Sequence, residues 1–159
     1  MPRPLPSDTE LIELLDCSTE SETSGNFIRL EREYGVEALV PSFERVFPQI
    51  RRYGGRMNIL FRLISYSRDR PTVVALARNA LGDKSRIVRH HACAALAYAL
   101  DEKSIPALKK LLTHSDAETR EHAEAAIDAI QSRNHHHFVD RKHTGKSFWH
   151  PGRYTVGKR

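Results

Sequence analysis

Apolar residues recur at helical spacing through the middle of the chain, and the spacing is written twice at one fixed offset. Val74, Ala77 and Leu81 fall at i, i+3 and i+7, as do their counterparts Ile105, Leu108 and Leu112. Such a stripe predicts an amphipathic helix. Gly82 and Asp83 interrupt the first copy; Thr113, His114, Ser115 and Asp116 interrupt the second. These are turn and N-cap residues. The stripe then restarts at Val88, Ala92, Ala95, Leu96 and Ala99, and again at Thr119, Ala123, Ala126, Ile127 and Ile130. Each copy therefore predicts two helices, together covering 72–131. A helix pair this short cannot bury its apolar faces alone, so the copies must stack.

The flanks are read the same way. Ser7 and Glu10 form a capping box ahead of Leu11, Ile12, Leu14 and Leu15, which predicts a helix over 8–16. Residues 18–25 are polar and predict a loop. A helix over 26–34 would end at Gly35, and 36–47 would be helical despite Pro41. A break at 51–55 precedes a helix with Met57, Leu60, Phe61 and Ile64 on one side. The shift that lays Ile105 on Val74, applied once more, lays Phe43 under Val74, Met57 under Val88 and Phe61 under Ala92. Residues 36–68 thus read as a divergent first repeat, capped by helices in 1–35. Beyond 131 the pattern changes. Residues 138–141 and 146–149, around a turn at Gly145, predict a small β-hairpin followed by a basic tail through 159. Phe138 and Phe148 would hold it on the last repeat, leaving His136, Arg141, Trp149 and Arg153 outward.

Within the second copy, Asp116, then Arg120, then Ala123, Ala126 and Ile127 set out a recognisable signature. This stretch resembles the HEAT repeat, in the short form found in phycobilisome-lyase-like proteins. Asp83, Arg89, Ala92, Ala95 and Leu96 match more loosely. The resemblance covers 72–131. It implies an all-α chain, a short right-handed α-solenoid of HEAT-like helix pairs, here one domain over 1–159 with the small C-terminal hairpin added. Fold alone does not assign an activity.

Charge adds structure to this picture. The net charge of +5 is the sum of −7 over 1–44, +6 over 45–70, zero over 71–130 and +6 over 131–159. Blocks of one sign are solvated faces or partner surfaces. No apolar run reaches the ~18 residues of a membrane span. The first residues carry no apolar signal core, so a cytoplasmic location is expected. Cys17 and Cys93 lie far apart, and Cys93 sits among alanines as a small apolar residue.

Catalytic motifs are wanting. His135, His136 and His137 are consecutive, so they point in different directions and do not close one coordination shell; no zinc-type spacing accompanies them. HEAT-like iron hydroxylases acting on deoxyhypusine carry His-Glu pairs after the repeat Arg; here those places hold His90 and His91, and Glu121 and His122. His91 and His122 are expected to pack at the repeat interface. Gly145, Lys146 and Ser147 imitate the end of a phosphate loop, but the earlier glycine position is Asp140. No hydroxyl or thiol has a motif-supported base. Neither a metal nor a cofactor is expected.

The reading is a non-catalytic protein-binding module, monomeric alone and off the membrane: a small bacterial immunity protein that neutralises a toxin domain, or an adaptor. The partner surface would use Arg86, His90, Glu121, Glu124 and Asp128 on the second helices, with His136, Arg141, Trp149 and Arg153 from the tail. The alternative is nucleic-acid binding through Arg51, Arg52, Arg56, Lys142 and Lys146, with Trp149 or Tyr154 stacking on bases.

Overall fold

The computed structural model describes residue 1 and residues 3–152. Among them every regular element is helical, and they form two compact units that divide after Arg62.

The first unit begins with α1 (Asp8–Leu15), α2 (Glu20–Tyr34) and α3 (Val36–Val46). Ser7 and Glu10 complete the predicted capping box of α1. The polar stretch predicted as loop is instead the first turns of α2. Thr19 caps it by accepting from the Glu22 amide at 3.2 Å, and Glu20 and Glu22 sit where the helix dipole favours acids. Gly35, at φ +80, ends α2 and starts α3. The core is apolar and closed: Leu11, Leu15, Phe27, Leu39 and Phe43 are fully buried, with the Phe27 and Phe43 rings 5.6 Å apart. Glu31 and Arg62 form a buried ion pair, and the Arg62 guanidinium lies 4.5 Å over the Phe27 ring.

Helix α4 (Tyr53–Leu63) departs from expectation in two ways. Gly54 and Gly55 do not break it; they form its first turn. A Cβ on Gly55 would lie 2.3 Å from the Leu15 carbonyl oxygen, so only glycine permits that close approach. The buried side is Ile59, Leu60 and Leu63, whereas Phe61, expected there, is 41% exposed.

The second unit contains α5 (Pro71–Ala80), α6 (Arg86–Ala99), α7 (Ile105–Lys110) and α8 (Ala117–Gln131). The two copies seen in the sequence are the pairs α5–α6 and α7–α8. Helix α6 is central, packing on both α5 and α8. Its alanines explain how it can: Ala92, Ala94, Ala95 and Ala97 are all buried, and such small side chains let neighbouring helices approach. Ser85 and Asp116, at equivalent places in the two copies, are the N-caps of α6 and α8. The repeat is thus visible at its helix starts as well as in its apolar stripes. Cys93 is buried in α6, which pushes its thiol up to about 12 and keeps it unreactive.

Ala126 is fully buried in α8. Replacing it by Leu has no space to fill and should cost ~1–3 kcal/mol. An unchanged denaturation midpoint for Ala126→Leu would show that the helix contact is looser than described.

The predicted β-hairpin is absent: residues 135–150 contain no strand. Backbone groups that a hairpin ladder would use are taken elsewhere. Residues His135–Phe138 wind into a 3-10 turn capped by Asn134. The buried Asp140 carboxylate accepts from the Thr144 amide at 3.0 Å and the Gly145 amide at 2.8 Å. Those bonds hold the Asp140 carboxyl below the usual carboxylate range. Gly145 does take the left-handed conformation expected of it, φ +71, but in a loop clamped by Asp140. Among the described residues, no helix is long and apolar enough to cross a membrane.

Candidate partner surface and histidine cluster

The arginine of the repeat signature has a definable task. Arg89 donates to the Asp83 carbonyl at 2.8 Å, and Arg120 donates to the His114 carbonyl at 2.7 Å. In each copy the side chain reaches back by the same distance in sequence and holds the turn that precedes its helix. Arg56 does the same, donating to the Ile50 carbonyl at 3.3 Å. Arg56 thus makes the same backward contact as Arg89. The apolar register that puts Met57 under Val88 puts Asn58 under Arg89 instead, so the two registers are out of step.

Arg89 does more than its counterpart Arg120. It is 7% exposed, and its Nε donates to Thr119 Oγ1 at 3.0 Å, next to the Asp116 cap of α8. The same guanidinium thus ties the start of α6 to the start of α8. Beside it, Arg86 pairs with Glu118 at 3.4 Å and Asp116 at 3.8 Å. Hydrogen bonds from Thr119 hold the Asp116 carboxyl below its ordinary range.

Further along the same interface lies a group of histidines. The His90 and His122 rings are 4.1 Å apart, and Phe138 stacks against His90 at 5.8 Å. His90 and His122 each bury an Nδ1 without a hydrogen-bond partner. Burial pulls His90 and His91 down to about 4, with His122 adding to both; it also lowers His122. All three are neutral at neutral pH. His90, read from the sequence as facing a partner, is only part-exposed and lies against Phe138.

The acidic residues expected on α8 line up on one side and meet the tail. Arg141 donates to the Glu121 carbonyl at 3.2 Å and lies 4.0 Å from the Glu124 carboxylate. Asp128 pairs with His143 at 2.6 Å. Glu121 and Glu124 remain exposed; Asp128 is part-buried.

In the tail, two aromatic roles are exchanged relative to expectation. Phe138 is buried, as expected of a capping residue, but Phe148 is 64% exposed. Trp149 is the second capping ring. It lies 5.2 Å from Phe138 and 6.0 Å from Tyr98, its amide donates to His136 Nδ1 at 3.0 Å, and its carbonyl lies 3.0 Å from His135 Nε2. A large flat ring fixed through its own backbone suits a cap. Phe148 keeps an edge contact with His136, at 5.4 Å. Arg153 and Tyr154 lie outside the described residues.

The residues named for nucleic acid differ in exposure and are divided between the two units. Arg51 and Arg52 are exposed, but Arg56 is buried and bonded to two carbonyls, which removes it from any phosphate contact. Lys142 and Lys146 are exposed on the Asp140 loop of the other unit.

One group among the described residues has the spacing of a metal site. Asp128, His137 and His143 each place a donor atom within 4.8 Å of the others. Of the three consecutive histidines only His137 belongs to it; the His135 and His136 rings lie 4.0 Å from each other. Its members come from α8, the 3-10 turn and the Asp140 loop, a combination that no linear motif announces.

Comparison with known proteins gives one result that agrees with this geometry. The family model of HEAT repeats matches residues 56–132, from the Arg56 turn of α4 to the end of α8. No curated protein and no solved structure matches the chain. Residues 56–132 are thus similar to HEAT repeats.

Proposed function

We propose that the chain is a non-catalytic protein-binding module, a short α-solenoid whose partner meets the C-terminal tail and the adjoining side of α8. The observation that carries this reading is Phe148. It is a large apolar ring, 64% exposed, on a tail that also exposes Lys142 and Lys146 and whose Arg141 reaches Glu121 and Glu124 on α8. An aromatic anchor with a polar rim is the usual composition of a contact centre. HEAT repeats commonly serve such contacts. The repeat architecture favours, by analogy, a bacterial immunity protein that occupies a toxin domain, with an adaptor role as the close variant.

The test begins with proteins encoded beside the gene, each mixed with the purified chain. A stable complex with a toxin-like neighbour is the expected result for the immunity role, and none with any neighbour counts against it. Within such a complex, Phe148→Ala should weaken binding by at least ~2 kcal/mol, roughly thirtyfold in Kd. Equal affinity for both proteins would remove Phe148 as the anchor.

A further inference from the structure

The site next to α8 has chemistry that protein binding does not use. His137 and His143 stack with ring centroids 3.7 Å apart and planes 12° from parallel. The pair stands beside the Asp128 carboxylate, 2.6 Å from His143 Nε2. The proton positions follow from the neighbours. Ser132 Oγ donates to the Asp128 carbonyl at 2.6 Å, so at 2.7 Å from His137 Nδ1 it must accept a proton from that nitrogen. The Nε2 of His137 is then the acceptor, consistent with the Asn134 side-chain amide 3.2 Å away. A histidine whose distal nitrogen is fixed by a hydrogen bond has the second shell of a metal ligand, and a cation at Nε2 would displace the Asn134 amide from its lone pair. His143 Nε2 faces Asp128 Oδ2 at 2.6 Å, ready to exchange its proton for a cation.

The scaffold fixes this arrangement. His143 sits at φ +54, a backbone that residues other than glycine seldom adopt. It is held there by the loop that Asp140 clamps through Thr144 and Gly145. Asp128 stands on the rigid last helix, and His137 on the capped 3-10 turn.

We propose that Asp128, His137 and His143 bind a divalent transition metal, Zn(II), with water as the fourth ligand. Two imidazole nitrogens and one carboxylate oxygen are a ligand set that zinc accepts with an open fourth position. Fe(II) also takes two histidines and a carboxylate, but the general affinity order places Zn(II) above it. Tetrahedral zinc, with bonds of about 2.0–2.1 Å, would space the ligand atoms at about 3.3 Å. The stacked rings hold their in-plane lone pairs parallel, so binding turns His143, whose side chain is 45% exposed, out of the stack and brings ligand atoms now within 4.8 Å of one another to that spacing. The bound ion would pin the Asp140 loop, with Lys142 and Lys146 on it, to the end of α8. This site adjoins the proposed partner surface but does not use Phe148, and it stands whether or not Phe148 anchors a partner.

The test is a calorimetric titration of the full chain, free of any affinity tag, with Zn(II), alongside thermal melting. One equivalent should bind with micromolar or tighter affinity and raise the melting midpoint. Loss of a partner of a ligand alone costs about 10–100-fold in metal affinity. Loss of a ligand should therefore cost more than about tenfold in each of Asp128→Asn, His137→Ala and His143→Asn. The last is the safest, since asparagine tolerates the left-handed backbone at that position. His150→Ala, an exposed histidine outside the group, should bind zinc as the parent does. Absence of a bound equivalent would overturn the proposal. So would undiminished affinity in folded His143→Asn and Asp128→Asn, because the ion would then sit elsewhere among the nine histidines.

Discussion

As pH falls from about 6.5 to about 4, the repeat unit should lose on the order of 3 kcal/mol of stability through His90 and His91. Both imidazoles are neutral in the fold because burial penalises their charged forms. In the unfolded chain they take up protons near the ordinary value of 6.5. Between that value and about 4 the unfolded state binds more protons than the folded state, so stability rises with pH across this window and is flat above it. The figure is less than the two shifts would sum to, because both rings keep some solvent contact and titrate together. The groups facing them work in both directions. His122 opposes charge on both, while Glu118 and Glu121 favour charge on His122 and Arg141 opposes it. The carboxyls of Asp116 and Asp140 are held below 3.8, so their contribution is lost only in more acid solution. Denaturation midpoints in chelator-containing buffers should therefore drop between pH 6.5 and 4. The slope should shrink in the His90→Asn, His91→Asn double variant. A parent protein equally stable at both ends of that window would refute the neutral, buried histidine cluster.

Arg89→Ala should cost about 2–4 kcal/mol, several times the effect of the same change at Arg120. The two arginines hold equivalent positions in the repeat, and each donates to the carbonyl of the turn before its helix. They differ in what lies around them. Arg89 is 7% exposed and also donates to Thr119, so its removal leaves the buried Thr119 hydroxyl oxygen, at the start of α8, without that donor. Arg120 is exposed, and water replaces it. The comparison is made by chemical denaturation of both alanine variants. Equal losses would mean that the link between α6 and α8 contributes nothing beyond the local turn.

These two predictions rest on features of unequal legibility. The helix pairs were legible because Ala92, Ala95, Ala123 and Ala126 obey helical spacing in two aligned copies, and burial follows that spacing. Of the two N-caps, Asp116 was among the residues read as turn and cap, whereas Ser85 lies two residues beyond the Gly82 and Asp83 read in the first copy. The first repeat was harder. Its apolar residues also align when Met57 is laid under Val88, but the backward contact of Arg89 is made there by Arg56. Counting from that arginine lays Ile59 and Leu63, both fully buried, under Ala92 and Leu96, and takes Phe61 out of the stripe. The glycines of α4 read as a break because glycine usually marks one. Here the value of Gly55 is the absence of a Cβ against the Leu15 carbonyl, a tertiary fact with no local signal.

The tail was least legible. Alternation and a turn glycine suggested a hairpin, but an aspartate side chain and two histidine rings satisfy the backbone instead. The candidate metal group shows the same limit. Asp128 and His143 are distant in sequence and meet only because the tail folds back along α8.

The central claim is that the tail closes the last repeat with Phe138 and Trp149 and offers Phe148 to a partner. Thermal and denaturant unfolding of Trp149→Ala and Phe148→Ala, measured side by side, test it most directly. Trp149→Ala should lose about 2 kcal/mol, less than a fully buried tryptophan would, through its contacts with Phe138 and Tyr98. Phe148→Ala should stay within about 0.5 kcal/mol of the parent, as an exposed position does. The reverse order, with Phe148→Ala the destabilised protein and Trp149→Ala unaffected, would contradict the account.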